Sequence, residues 1–142
     1  MATFNKFQDF SQQLTEGTQN FGTDVYKVAL SNTAPVATNT VLANITQIAA
    51  ANGYTSGGTA TTVTVSETSG TTTVSGTQVV FTASGGSIGP FRYVVLYNDT
   101  TTSPNKPLVG WWDYGSSVTL ADTETFTVKF SNTSPGAIFT LS

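Results

Sequence analysis

The spacing of hydrophobic residues along the chain changes near residue 23. Before that point, large apolar residues recur every three or four positions with polar residues between them, which is the spacing of one face of an α-helix. These residues are Phe4, Phe7, Phe10 and Leu14. The pattern predicts an amphipathic helix over residues 3–16, with Thr3 as its N-cap and Gly17 ending it in a left-handed conformation.

After residue 23, apolar and polar residues mostly alternate one by one, and this period of two is typical of β-strands. Glycine, proline, asparagine and serine separate the alternating segments and indicate turns. One exception is residues 41–51, which predict a second, short helix because four apolar residues have helical spacing: Leu42, Ile45, Ile48 and Ala49. The predicted strands are residues 23–31, 59–66, 77–84, 91–98, 108–114, 118–120, 124–131 and 137–141, with a short Thr-rich segment near 70–75.

Two of these segments carry information about layers. Residues 91–98 are apolar at nearly every position, with Phe91, Tyr93, Val95 and Tyr97 on one predicted face, so this strand is expected to lie centrally. Residues 108–114 are expected to form a strand with two opposite faces. One face carries Leu108, Gly110, Trp112 and Tyr114, and the other carries Val109, Trp111 and Asp113. The two adjacent tryptophans therefore leave the strand on opposite sides.

About seven or eight short strands at this spacing favour an antiparallel β-sandwich or jelly roll. A chain of 142 residues has room for one such domain. We expect a single domain over residues 1–142, in which residues 1–17 form an N-terminal helix or arm and residues 18–142 form the sandwich.

Charge and composition narrow the partners. Only 9% of the residues are charged, against about 25% in typical globular proteins, and the five basic residues lie singly along the chain. No basic patch of the kind that binds phosphates is present, so nucleic acid is not an expected partner. No apolar run is long enough to cross a membrane, and residues 1–6 do not resemble a secretory signal, which predicts a soluble protein made in a cytoplasm.

Few residues are suited to catalysis. The chain has no His and no Cys, so triads, thiol nucleophiles and thiolate metal sites lack an essential group. Asp122 and Glu124 remain as residues that could share a cation or, with Asp99 or Asp113, form an acid–base pair. The alternative is that Asp122 is a turn residue and Glu124 a solvated strand start. We expect no enzyme activity, no cofactor and no metal.

The candidate interface residues are Phe4, Phe7, Phe10, Arg92, Trp111 and Asp113. Arg92 either pairs with a carboxylate inside the fold or reaches a carboxylate of a partner subunit. Trp111 shares a predicted face with Asp113, which marks either a contact surface or a side covered by a second layer. The Phe-rich N-terminal segment either packs on its own domain or clamps a neighbouring subunit.

Three segments carry a resemblance to a known family. They are TDVYKVALSNTAP at residues 23–35, GPFRYVVLYND at residues 89–99 and PLVGWWDYGSS at residues 107–117. In these phrases, and in pattern over nearly the whole chain, the sequence resembles a family of small virion proteins of tailed bacteriophages.

The resemblance implies a β-sandwich that decorates or cements the capsid, bound to the major capsid protein or other virion subunits as a homo-oligomer, with a trimer favoured. It implies a location in the virion, on the capsid surface, after synthesis in the bacterial host cytoplasm. A tail tube, adaptor or fibre-associated subunit is the structural alternative. A carbohydrate-binding module, in which Trp111 or Trp112 with Tyr114 stacks on a sugar, is the alternative of another class.

Overall fold

The computed structural model describes residues 2–142, and antiparallel β-strands dominate it. One short helix and one 3₁₀ turn interrupt them. In chain order the elements are β1 (Asn5–Lys6), α1 (Phe10–Thr15), β2 (Tyr26–Ser31), the 3₁₀ turn Leu42–Asn44, β3 (Thr59–Thr61), β4 (Val63–Thr68), β5 (Thr71–Gly76), β6 (Val79–Thr82), β7 (Ile88–Asn98), β8 (Leu108–Leu120), β9 (Thr125–Val128) and β10 (Gly136–Leu141).

The strands form one large sheet and two small ones. The large sheet has five strands in the order β1-β8-β7-β2-β3, and the small sheets are β10-β5-β4 and β6-β9. Two lengths of chain build both small sheets: one carries β5 and β6, and the other carries β9 and β10. Strand β5 pairs with β10 in one sheet, and β6 pairs with β9 in the other. The expected mainly β, antiparallel, sandwich-like fold is confirmed.

The main core lies between the large sheet and the two small sheets. Buried residues from β2, β7 and β8 meet buried residues from β5, β6, β9 and β10 there. Val79, Phe81 and Ala83 all point into this core, as their alternation predicts, and so do Val128 and Phe130. Phe126 packs against the same core while remaining partly exposed.

The other face of the large sheet is also covered, but not by a sheet. Ala29, Val95, Tyr97 and Leu108 project from it and are buried. Two segments without strands on this side cover them and complete a second apolar cluster, through Phe7 from the N-terminal segment and through Leu42 and Ile45 from the connection after β2. The apolar character of β7 on both faces therefore reflects a central position between two layers.

The N-terminal helix is much shorter than predicted. Residues 5–6 form the edge strand β1, paired with β8 at Trp111 and Gly110, and the helix begins only at Phe10. The ladder with β8 replaces helical hydrogen bonds, and Phe4 and Phe7 consequently reach different apolar clusters. Gly17 does have a positive φ of 80°, as expected.

The second predicted helix over residues 41–51 is wrong apart from the single turn Leu42–Asn44. Its backbone instead makes isolated bridges, among them Val41 with Pro107 and Gln47 with Ser31. These long-range hydrogen bonds hold the segment flat against the large sheet, where Leu42 and Ile45 are buried. Tertiary pairing has outweighed a short local periodicity.

Strand boundaries and faces differ from the prediction where the ladder is irregular. The two strands predicted at residues 108–114 and 118–120 are one continuous strand, β8, which runs to Leu120. Tyr93 pairs with Asp113 and Phe91 pairs with Val118, so two residues along β7 correspond to five along β8. The extra residues of β8 bulge outward, and Gly115 among them has a φ of 100°. Bulges of this kind change which face a residue occupies.

Two predicted faces are wrong for this reason. Phe91 points into the main core with Val94 and Leu96, and not with Tyr97. A second irregularity near Leu96 places Val109 in the main core and Leu108 in the opposite cluster. Trp111 and Trp112 still lie on opposite faces, as expected.

Candidate functional site

A groove opens where the large sheet and the β6-β9 sheet meet at one flank of the molecule. We call it the flank groove; it has a volume of about 190 Å³ and is lined by Ala2, Val94, Trp112, Tyr114, Phe126, Thr127, Val128 and Lys129. Strand β8 has no neighbour on its outer edge beyond Trp111, and β9 pairs only with β6 among residues 2–142. Two unpaired strand edges therefore border the groove.

Aromatic rings form most of the groove wall. Tyr114 is 55% exposed and packs edge-on against Phe126, with ring centroids 5.3 Å apart. Trp112 is partly buried, and its indole lies 5.2 Å from the ring of Phe4 and 5.4 Å from that of Phe130. The groove thus presents one exposed phenol above an aromatic floor that the main core supports.

Among the described residues that line the groove, Lys129 is the only charged one. Its side chain is exposed, follows β9 directly, and makes no hydrogen bond or ion pair with the residues described, 2–142. The other four basic side chains all have a partner within the chain: Lys27 and Lys106 contact Asp99, Arg92 contacts Asp113, and Lys6 donates to Ser11. Positive charge at the groove is therefore uncompensated by the fold.

Arg92 pairs inside its own chain. Its Nε donates to Oδ1 of Asp113 at 2.7 Å and its terminal nitrogen donates to Oδ2 at 3.0 Å, a bidentate geometry across β7 and β8. Hydrogen bonds from Arg92 and from the Gly115 amide hold the pKa of Asp113 below its usual range. Of the two alternatives for Arg92, the internal carboxylate is the one observed.

Trp111 lies on the covered face of the large sheet. Its indole packs against Phe7, which is fully buried, with ring centroids 4.6 Å apart. The side chain remains partly exposed, but the second-layer alternative describes its surroundings. It does not line the flank groove.

The three N-terminal phenylalanines pack on their own domain. Phe4 lies between Trp112 and Phe139, Phe7 lies under Trp111, and Phe10 meets Phe21 and Phe139 edge-on. Phe7 and Phe10 are buried, and Phe4 is partly exposed. The six candidate interface residues thus do not form one surface, and none of them lines the groove, although Phe4 contacts the lining residue Trp112.

One ion cluster lies beside the covered face. The carboxylate of Asp99 contacts Lys27 Nζ at 3.1 Å and Lys106 Nζ at 3.0 Å. Desolvation raises the pKa of Asp99, but hydrogen bonds and charge from Lys106 and Lys27 outweigh it and leave the pKa below its usual range. The cluster joins the loop after β7 to β2.

The two carboxylates that could have formed a cation site or an acid–base pair accept hydrogen bonds from backbone amides. Asp122 accepts the Gly85 N–H at 2.8 Å, and Glu124 accepts the Ala121 N–H at 2.8 Å. Both contacts fix turns, in agreement with the structural alternative for this pair. Within residues 2–142 no cluster of three or more potential metal ligands occurs, and no helix there is long and apolar enough to span a membrane.

Comparison with known proteins adds no relative. No protein-family model, curated protein or solved structure matches the chain. The fold and the groove are therefore interpreted from their own geometry.

Sequence reasoning missed the groove as a unit. Tyr114 lies in the predicted strand 108–114 and was considered for sugar stacking, whereas Phe126 and Lys129 lie in the separate predicted strand 124–131. The shared face of Trp112 and Tyr114 was predictable from alternation. Their meeting with Phe126 and Lys129 depends on sheet packing, which no local pattern encodes.

Proposed function

We propose that this chain is a non-catalytic virion structural protein of a tailed bacteriophage, a capsid decoration or cement protein that binds the major capsid protein. The observation that carries the proposal is the flank groove, an exposed aromatic surface with unpaired strand edges and an uncompensated lysine. Aromatic residues in such positions are typical anchors of protein interfaces. The resemblance to tailed-phage virion proteins supplies the partner.

The remaining surface supports the same role. Charged residues are 9% of the sequence, and the strand β4 is exposed at nearly every position with Thr, Ser and Val side chains and one charged residue, Glu67. Neutral polar surfaces of this kind make weak individual contacts. On a symmetric shell, many weak contacts act together and gain strength from multivalency, which also favours a symmetric oligomer such as a trimer.

The side chains best suited to catalysis have structural partners. Arg92 and Asp113 bind each other, and Asp122 and Glu124 hold turn amides. These contacts support a structural role over hydrolysis by a carboxylate pair.

Co-sedimentation with capsid shells tests the proposal. The purified chain is mixed with shells assembled from its cognate major capsid protein alone, and with purified tail tubes. We expect saturable binding to shells at a fixed ratio of chain to capsid subunit. If the chain remains in the supernatant with shells and shows no self-association, the decoration role is rejected; binding to tubes alone supports the tail alternative.

A carbohydrate-binding role is the second candidate, because Tyr114 is 55% exposed beside the groove. Both indoles already have an aromatic ring against them, Trp111 with Phe7 and Trp112 with Phe4, so the phenol of Tyr114 is the remaining stacking platform. A glycan array probed with the labelled chain tests this role. Binding that Tyr114→Ser abolishes would support it.

A further inference from the structure

We propose that the flank groove binds an extended peptide segment of another protein that carries a carboxylate beside an apolar side chain, with the carboxylate on Lys129. The inference rests on the proposed virion function and names the chemistry of the partner at that surface. Three observations lead to it: the charge balance of the fold, the unpaired strand edges and the aromatic floor.

The charge balance points to a partner other than a second copy. All eight carboxylates of the chain accept a hydrogen bond or ion pair within it. Those not yet described are Asp9 with Gln13, Glu16 with Gln12, Asp24 with Asn98, and Glu67 with the Gly70 amide. A second copy could offer Lys129 only a side-chain carboxylate that already serves a contact in its own fold, whereas a different protein brings its own.

The strand edges point to a peptide over a sugar. Unpaired strand edges are templates for an added strand, because their N–H and C=O groups need partners. The groove lies between two such edges, β8 after Trp111 and the outer side of β9. The bulge near Gly115 limits the length of strand that β8 can pair with, so β9 is the longer regular edge.

The aromatic floor of the groove determines which side chain of the peptide it can hold. Trp112, Tyr114 and Phe126 line the groove, and Val94 closes its base. A volume of about 190 Å³ holds one large apolar side chain, and Lys129 lies at the rim next to Val128. A segment with Phe or Leu adjacent to Glu or Asp fits both features.

A nuclear magnetic resonance titration tests the inference without shells. The ¹⁵N-labelled full chain is titrated with the capped hexapeptide Thr-Val-Phe-Glu-Val-Thr, and with the same peptide carrying Gln for Glu. We expect amide shifts confined to Trp112–Gly115 and Phe126–Lys129. The Gln peptide and the variant Lys129→Gln should each bind about tenfold more weakly, the size of one charge-assisted contact.

The control is Lys6→Gln, which removes an exposed lysine that hydrogen-bonds Ser11 and does not line the groove; its affinity should equal that of the wild type. Absence of shifts in these residues, equal binding of the Glu and Gln peptides, or tighter binding of glucuronic acid than of the peptide would each overturn the inference.

Shell binding separates this inference from the proposed function. If the wild-type chain binds shells and Lys129→Gln binds them equally well, the virion role stands and the carboxylate partner is wrong. If the wild type does not bind shells but binds the acidic peptide as described, the groove chemistry stands and the capsid role is wrong.

Discussion

Trp111 and Trp112 are neighbours in sequence, yet they belong to two differently built sides of the molecule. On the Trp111 side, the arm residue Phe7 and the loop after β2 cover the sheet completely enough to bury Tyr97 and Val95. On the Trp112 side, a second sheet supplies the cover but leaves a groove at the flank. The irregular segments therefore close over the sheet on the Trp111 side. The packing of one sheet on another leaves a groove on the Trp112 side, next to unpaired strand edges.

The charges follow the same division. Beside the covered side, Lys27 and Lys106 both contact Asp99. In the groove, Lys129 has no partner among residues 2–142. A side whose charges are satisfied holds the fold together, and a side with an unsatisfied charge and exposed aromatic surface is available for binding.

The largest expected effect is on the covered side. Phe7→Ala removes a fully buried ring from beneath Trp111 and should lower the free energy of unfolding by about 3–5 kcal/mol, measured by urea denaturation. Trp111 emission should also shift to the red. The matched variant Phe126→Ala, in the partly exposed groove wall, should cost about 1–2 kcal/mol; equal losses at the two positions would contradict the comparison.

Gly110→Ala tests the attachment of the N-terminal segment. A Cβ at Gly110 would overlap the Phe4 ring and lie 2.7 Å from the Asn5 carbonyl oxygen, so β1 must move away from β8. We expect a loss of about 1–3 kcal/mol and faster amide exchange at Asn5 and Lys6. Ser116→Ala, at an exposed position of β8, is the control and should change the free energy of unfolding little. Gly70→Ala is less suitable, because Gly70 has a positive φ that alanine rarely adopts.

The sequence predicted the strands better than their surroundings. The alternation of residues with a period of two located β6, β7, β9 and β10. In each of these strands one face is apolar, and the other face is either polar or also apolar. The helix predicted over residues 3–16 is wrong before Phe10, because a spacing of three fits both a helix and a strand followed by a turn. Pairing with the edge of β8 selects the strand at Asn5–Lys6. Bulges in β7 and β8 also carried no local signal beyond Gly115.

Asp99→Asn probes the paired charges. The variant should lose about 1 kcal/mol at neutral pH, a small value because both lysines are a third or more exposed. The pKa of Asp99 is lower in the folded than in the unfolded chain. Its contribution is therefore complete above the ordinary aspartate pKa of about 4 and is lost as pH falls through the folded value.

Denaturation curves from pH 7 to pH 2 check this. The difference in stability between the wild type and Asp99→Asn should shrink at the acidic end. Ser116→Ala, an exposed position on β8 without a titratable group, should give a difference that does not change with pH. A difference at Asp99 that grows as pH falls would be the opposite of the expected sign.

The smallest effect on stability belongs to the groove. Tyr114→Ser removes a phenol that is 55% exposed and should change the free energy of unfolding by less than about 1 kcal/mol. Its effect on shell binding should be at least about tenfold, because an exposed aromatic anchor contributes to an interface and not to the fold. Stability and co-sedimentation measured on the same preparation separate the two.

A cryo-electron microscopy map of the intact particle tests the capsid role most directly. We predict density for this chain on the outer capsid surface, arranged as a symmetric oligomer, with Trp112, Tyr114 and Lys129 turned toward a segment of a neighbouring virion protein. Density for the chain in the tail, or its absence from the particle, would contradict the account.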